Sequence, residues 1–284
     1  MKEGKTLKKT EKTGLCLALP ALLGLMIFYI IPMGISGYNS LTFGGEFVGL
    51  ENYRLTFGNY MFRLAVKNTF LFLGVSIPLN LLFSLGAALL LERNFAGNRF
   101  FRMAFLYPYV VPVAATVMAV KIFISDTGVL NTLLEQKDLP TQDWTRSSWA
   151  FLILVLLYLW KNMGYSMILL LSGLAMIPPE YEQMGRLDGC GKWNFFFYIK
   201  LPLLRQMLFF TALIALLNAF KCFRESFLIA GVHPHESIYM IQHFINNNIN
   251  NLNYVKISTT AFTLFVLMFF LIALVYTKKP DKAG

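Results

Sequence analysis

Long apolar stretches with almost no charge constrain this chain more than any other feature of its sequence. Residues 13–45 contain no Asp, Glu, Lys or Arg. An α-helix rises about 1.5 Å per residue, so roughly 20 apolar residues cross the roughly 30 Å hydrocarbon core of a bilayer. Because that core offers no water to backbone polar groups, such stretches span it as helices. The sequence therefore predicts an all-α, polytopic membrane protein.

Six segments are long and apolar enough to be transmembrane helices: 14–36, 68–91, 103–124, 147–171, 206–230 and 257–276. Charged residues enter the third, fourth and fifth of these segments, at Lys121, at Lys161 and at the cluster Lys221, Arg224 and Glu225.

The N-terminal segment is compatible with a secretory signal peptide or with a retained first span. Five lysines lie in residues 1–13 and precede the apolar run, as in a signal peptide. The run is too long for a signal peptide, and it shows no clear small-residue cleavage site. We therefore predict a basic tail (1–13), one six-span domain (14–277) and a short tail (278–284).

Composition and cysteine spacing argue against several soluble classes. Charged residues make up 14% of the chain, whereas soluble domains average about a quarter. The net charge of +10 is divided among the segments between apolar runs, so a nucleic-acid-binding face is not expected. The cysteines, Cys16, Cys190 and Cys222, lack the C-x-x-C spacing of a zinc module and their odd number argues against a disulfide framework.

Lysine and arginine are concentrated in alternate loops. Fifteen of them lie in segments 1–13, 92–102, 174–205 and 278–284. Three lie in the opposite segments, 42–62, 126–146 and 231–255. Because cytoplasmic loops carry the positive excess, both termini are predicted to be cytoplasmic.

The chain carries no motif for binding ATP. The phosphate-binding pattern G-x-x-x-x-G-K-[ST] is absent, since Gly4-Lys5-Thr6 lacks the upstream glycine. No cofactor is therefore predicted in this chain. A transport function would draw its energy from an ion gradient or from a partner ATPase.

The loop at 174–204 predicts two short helices. Pro178-Pro179 suits the first turn of a helix, and Asp188-Gly189 ends it because glycine adopts the left-handed C-terminal conformation. A second, aromatic-rich helix follows as far as Leu201-Pro202. Such a pair forms either a docking surface for another protein or an amphipathic interfacial loop, and spacing alone does not choose between them.

The same loop carries three spaced motifs: I-P-x-E at 177–180, D-G-x-x-x-W at 188–193 and I-x-L-P-L-L at 199–204. Further matching motifs lie at 47–53, 68–69, 99–102, 107–109, 159–162 and 219–221. In combination they resemble the permeases of binding-protein-dependent ATP-binding-cassette (ABC) importers. The resemblance is to the MalF-type carbohydrate branch, which has a type I (MetI-like) core, and it covers nearly the whole chain.

The resemblance implies a permease of the bacterial plasma membrane that imports a sugar or oligosaccharide. It implies a second permease subunit, two copies of a cytoplasmic ATPase that hold ATP and Mg, an extracellular substrate-binding protein and surrounding membrane lipid as partners.

The loop would sit in a cleft of the ATPase and transmit its closure to the spans. The residues expected to make that contact are Glu180, Gln183, Gly185, Asp188, Gly189, Trp193 and Pro202. Family members commonly have Glu-Ala-Ala where this chain has Gln183-Met184-Gly185, so we expect a contact adapted to a particular ATPase.

Two predicted spans carry polar stripes. Four side chains share one helix face in the fourth span: Tyr158, Lys161, Asn162 and Tyr165. Four share a face in the fifth: Asn218, Lys221, Cys222 and Glu225. Lys221 and Glu225 have the i, i+4 spacing of an ion pair.

Charges inside a membrane usually face a cavity or a partner, and the resemblance implies that sugar passes between these two helices. The stripes therefore either line the path or hold charges that neutralise one another or reach the interface.

Two other functional classes fit less well. An ion-driven secondary transporter of a small polar solute is expected to have carboxylates near the bilayer centre, and Glu225 is the only one in a predicted span. An enzyme is expected to show a catalytic set. His233, His235 and His243 do not have metal-ligand spacing, so neither catalytic nor metal-binding residues are predicted.

Overall fold

The computed structural model describes residues 14, 17–93 and 95–277, and the predicted tails at 1–13 and 278–284 lie outside them. The described chain is mostly helical. In this part of the chain, five helices are long and apolar enough to cross a membrane, and they overlap the first five predicted spans. The sixth predicted span falls on the helix Tyr254–Thr277, whose segment Tyr254–Phe270 is a shorter apolar helix.

The elements up to the fourth long helix are α1 (Leu17–Leu41), β1 (Thr42–Phe43), β2 (Glu46–Phe47), α2 (Glu51–Gly58), α3 (Tyr60–Leu91), α4 (Asn98–Val110), α5 (Val113–Ile124), α6 (Val129–Glu135) and α7 (Trp149–Ala175). The remaining helices are α8 (Glu180–Leu187), α9 (Lys192–Phe195), α10 (Leu201–Lys221), α11 (Phe223–Ala230), α12 (Ile241–Asn250) and α13 (Tyr254–Thr277). The two strands form an antiparallel hairpin, with Thr42 opposite Phe47.

The third predicted span is not one helix. Helix α4 ends at Val110, and Val111 is extended with ψ 132° before α5 begins. The residue before a proline is pushed out of the helical region by contact with the proline ring, which places the break at Val111-Pro112. Pro78 and Pro108 instead lie inside continuous helices.

The loop helices differ from the prediction at one end. The predicted stop at Leu201-Pro202 is wrong, because helix α9 continues through a π-helical turn, Phe196–Lys200, into α10. Pro202 lies in the first turn of α10. There its missing N–H removes little hydrogen bonding.

The chain forms two compact units, and the first comprises the described residues of Met1–Phe62 and Ile245–Gly284. In it, α13 packs on α1 so closely that a Cβ on Gly37 would lie 2.9 Å from the Phe262 ring. The Asn52 amide donates to the carbonyls of Ser40 and Thr42, at 3.0 Å each. These bonds fix helix α2 against the end of α1.

The second unit is Arg63–Phe244, and α7 lies at its centre. Leu154, Met167 and Leu170 of this helix are fully buried. A Cβ on Gly164 would overlap the carbonyl oxygen of Phe105. Only glycine allows such contact between the backbones of α7 and α4. Helix α7 is therefore the scaffold on which the polar stripe of the fourth predicted span is held.

Candidate functional site

The first loop helix, α8, ends in the glycine cap that its sequence predicts. Gly189 has φ +69°, in the left-handed region that glycine reaches without steric cost. The Cys190 N–H donates to the Gly185 carbonyl at 2.8 Å, and the Gly189 N–H donates to the Arg186 carbonyl at 3.2 Å. This pair of bonds defines a Schellman motif, which sets the direction of the chain between α8 and α9.

Large apolar side chains on α8 and α9 point into the surroundings. Leu187 is 87% exposed and Trp193 is 75% exposed, and Met184 is exposed as well. The polar residues predicted to contact a partner, Glu180 and Gln183, are also exposed. The two short helices thus present a mixed apolar and polar surface that the described residues do not cover.

One close contact holds the two loop helices together, and one ion pair joins them to the rest of their unit. A Cβ on Gly185 would lie 3.0 Å from the Phe195 ring, so α8 and α9 pack closely where this glycine lies. The Lys200 Nζ donates to both carboxylate oxygens of Glu92, at 2.7 and 2.8 Å. This ion pair joins the π-helical turn to the residue that follows α3. Sequence reasoning missed it because the two residues lie 108 positions apart.

An ion pair joins the two polar stripes inside the membrane-spanning part. The Lys161 Nζ donates to Glu225 Oε1 at 2.9 Å, and the side chains are 12% and 8% exposed. The other oxygen of Glu225 has no partner among the described residues. The pairing of Lys221 with Glu225 suggested by their spacing is wrong, since Glu225 pairs with Lys161 instead.

The helix geometry explains why Glu225 pairs with Lys161 and not with Lys221. Helix α10 ends at Lys221 and α11 begins at Phe223, with Cys222 between them at ψ −6°. The i, i+4 face is interrupted there, so the predicted stripe is split between two helices. Lys221 and Arg224 are exposed, whereas Cys222 and Glu225 are buried.

The remaining members of the stripes are partly used by the protein itself. The Tyr158 hydroxyl donates to the Ala215 carbonyl at 2.8 Å, and the Asn162 amide donates to the Tyr158 carbonyl at 2.9 Å. Both residues are buried, and Asn218 is half-buried. Tyr158 and Asn162 therefore bond to protein groups and do not form one open polar face with the rest of the stripe.

Tyr165 forms a contact that the sequence did not predict. Its ring stacks on Tyr109 with centroids 4.7 Å apart and planes 10° from parallel. Tyr109 is 37% exposed and lies on α4, so the pair joins the fourth long helix to the broken third span. The Tyr107-Pro108-Tyr109 motif was the available signal, but it gave no indication of its partner. Within residues 17–93 and 95–277 no group of three potential ligands is placed to hold a metal ion.

Comparison with known proteins gives one consistent family. The model of "Binding-protein-dependent transport system inner membrane component" matches residues 80–278. The chain is 32% identical over 243 residues to the probable ABC transporter permease YesP of Bacillus subtilis, covering 81% of this chain and 77% of the relative. It is 29% identical over 238 residues to the sulfoquinovosyl glycerol transport system permease SmoG of Agrobacterium fabrum, with the same coverages.

A solved structure shares the fold. It is a bacterial ABC transporter that imports the acidic polysaccharide alginate, and one of its chains superimposes with a TM-score of 0.79 at 19% identity. The match covers 97% of this chain and all of that one. The family predicted from the sequence motifs is confirmed by these matches.

Proposed function

The chain belongs to the family of binding-protein-dependent transport system inner membrane components, and on that premise we propose that it carries a sugar or oligosaccharide across the bacterial plasma membrane. It is the permease of an ABC importer, a membrane subunit without a catalytic role of its own. Sulfoquinovosyl glycerol and alginate are named as cargo of two similar proteins. Together with the sequence motifs, these names support a carbohydrate cargo.

In this proposal the chain spans the membrane six times with both termini in the cytoplasm. Helix α13 has 24 residues and is about 36 Å long at 1.5 Å per residue, enough for a span. The fifteen-to-three distribution of Lys and Arg supports the orientation. A second permease would complete the path, two ATPase subunits would supply energy, and an extracellular binding protein would deliver the cargo.

The exposed apolar surface of α8 and α9 is the observation that carries the coupling role. Side chains as exposed as Leu187 and Trp193 gain free energy when a partner covers them. The Schellman motif at Gly189 fixes the angle between the helices, so a partner that moves one helix moves the other. We infer that this surface fits into a cleft of the ATPase. When the cleft closes, the loop helices transmit the movement to α7 and α10.

The test is uptake by the complete importer in liposomes, with the second permease, the ATPase and the binding protein present. Uptake should require ATP and should persist when an ionophore collapses ion gradients. Uptake that fails with the ionophore and proceeds without ATP would support the alternative, an ion-driven secondary transporter.

Gly189→Pro tests the coupling role. Proline fixes φ near −65° and has no N–H, so it is incompatible with φ +69° and with the bond to Arg186. Uptake should be lost while the complex still inserts into the membrane. Gly191→Pro is the matched control, because Gly191 already has φ −68°. Unchanged uptake in Gly189→Pro would contradict the docking role.

A further inference from the structure

The break between α10 and α11 carries two exposed cations inside a membrane span. Lys221 is the last residue of α10, and Arg224 is the second residue of α11. Both side chains are exposed, and no ion pair involves either of them among the described residues. Their carboxylate neighbour, Glu225, is already paired with Lys161.

The Lys161–Glu225 pair shows how deep this break lies. Lys161 is the thirteenth of the 27 residues of α7, so it stands at the middle of that helix. Glu225 lies within hydrogen-bond distance of its side chain. The hydrogen bond therefore places the Glu225 carboxylate within the membrane-spanning part, and residues 221–224 directly precede Glu225 inside the predicted fifth span, 206–230.

Lipid does not surround charged side chains at that depth. A cation at the bilayer centre costs several kcal/mol when it faces hydrocarbon. The two exposed cations therefore place this face of the span against water or against another protein.

The charge of this face favours a particular kind of cargo. Because Lys161 neutralises Glu225, Lys221 and Arg224 leave an excess of positive charge beside the break. Asn218 lies one turn before Lys221 and is half-buried, so an amide stands beside the cations on α10. A lysine and an arginine bind carboxylate, sulfonate and phosphate oxygens by charge-assisted hydrogen bonds.

We propose that this permease selects a negatively charged sugar, and that Lys221 and Arg224 contact its carboxylate, sulfonate or phosphate group during passage. The inference rests on the proposed function, because it assigns a class of substrate to the same path. The competing arrangement is an acidic side chain of the second permease that pairs with the two cations.

The first experiment asks what the cognate binding protein delivers. Its thermal stabilisation is measured with matched acidic and neutral saccharides, beginning with trigalacturonate and its neutral methyl ester and continuing with sulfonated, phosphorylated and unmodified hexosides. We expect stabilisation by an acidic saccharide. Stabilisation by neutral saccharides alone would overturn this inference and leave the carbohydrate function intact. Stabilisation by none of these saccharides would overturn both.

The second experiment measures uptake of the acidic saccharide by the reconstituted importer. The double variant Lys221→Gln/Arg224→Gln should lower uptake roughly tenfold or more, the usual effect of losing charge-assisted hydrogen bonds. The exchange Lys221→Arg/Arg224→Lys should keep most of the uptake. Lys67→Gln, which removes an exposed cation of α3, is the matched control and should have little effect.

The same preparations distinguish cargo binding from subunit pairing. If the double Gln variant no longer co-purifies with the second permease, the cations serve that interface and the inference is overturned. Equal uptake by the double Gln variant and the wild type would overturn it as well. An equal loss for acidic and neutral saccharides would show a structural role and would also overturn it.

Discussion

The loop helices and the interior of the fourth and fifth long helices place their side chains in opposite ways. In α8 and α9, large apolar side chains such as Leu187 are exposed. Between α7 and α11, the charged side chains of Lys161 and Glu225 are buried. The two buried charges pair with each other within the chain, whereas the apolar loop surface needs a partner. Substitutions of the buried pair should therefore alter stability, and substitutions on the loop should mainly alter coupling.

Among the changes predicted for the two regions, breaking the buried ion pair should cause the largest loss of stability. Glu225→Gln leaves the Lys161 charge buried without a counter-charge, which should destabilise the protein by about 3–5 kcal/mol. Thermal unfolding of the purified protein in detergent measures the loss.

The matched control replaces both members with apolar residues. Lys161→Met/Glu225→Leu removes both charges and should recover most of the stability, because a buried pair is replaceable by hydrophobic residues of similar size. If the double variant is as unstable as Glu225→Gln, the pair does not act as a unit.

Acidification should lower the free energy of unfolding of the second unit through His243. This side chain is fully buried beside Phe223 and Tyr239, and burial lowers its pKa from 6.5 to about 4. The unfolded state therefore binds the proton first. The stabilisation is complete above pH 6.5 and is lost as the pH falls from 6.5 to about 4, by about 3 kcal/mol in total.

The unfolding midpoint measured from pH 7.5 to 4.5 tests this dependence. His243→Gln should flatten the curve, since the titrating group is gone. His233 is exposed, so His233→Gln should leave the slope as in the wild type. An unchanged slope in His243→Gln would contradict the assignment.

The same Gly→Ala substitution should act differently in the two regions. At Gly164 the new Cβ meets the backbone of α4, so the helices must separate, at a cost of about 1–3 kcal/mol. At Gly185 it meets the ring of Phe195, which can rotate aside. There the better helix propensity of Ala, up to about 1 kcal/mol, offsets the contact and the net change should be small.

Unfolding midpoints of the two variants test this contrast, with ATP-driven uptake as a second measurement. A larger loss of stability in Gly185→Ala than in Gly164→Ala would show that α8 and α9 are packed more rigidly than their exposure indicates.

Removing the ion pair between Lys200 and Glu92, which joins the two regions, should cause the smallest loss of stability. Lys200 and Glu92 are partly exposed, at 17% and 30%, and pairs that contact solvent contribute about 1 kcal/mol or less. A double-mutant cycle with Lys200→Gln and Glu92→Gln measures the coupling energy. The Arg54–Glu51 pair, 82% and 48% exposed, is the reference for a pair of near-zero value. Equal coupling energies in the two cycles would contradict a positioning role for Lys200.

Several features with a local cause were predicted correctly, but the helix end at Leu201-Pro202 was not. The long apolar helices follow from the number of uncharged residues between loops, and helix α8 follows from its flanking prolines and from Gly189. The break in the third span follows from Pro112, although the sequence did not place it. Continuous helices at Pro78 and Pro108 were not distinguishable from breaks, because neighbouring groups in the fold decide whether a proline is tolerated.

Features that depend on distant residues were not predicted. No proline or glycine marks the break at Cys222, and the partner of Glu225 lies 64 positions away on another helix. The i, i+4 spacing favoured Lys221, and the break removed that pairing. The stacking of Tyr165 on Tyr109 was missed for the same reason.

The sequence by itself determined that this chain lies in a membrane as a polytopic helical protein, and which loop resembles a site of ATPase coupling. These properties depend on hydropathy, charge distribution and turn residues, which act over a few neighbouring positions. Only the tertiary structure decided which charges neutralise one another and which remain exposed beside the break in the fifth long helix. Packing between helices determines which charges pair, because it fixes the distances between charged groups on different helices.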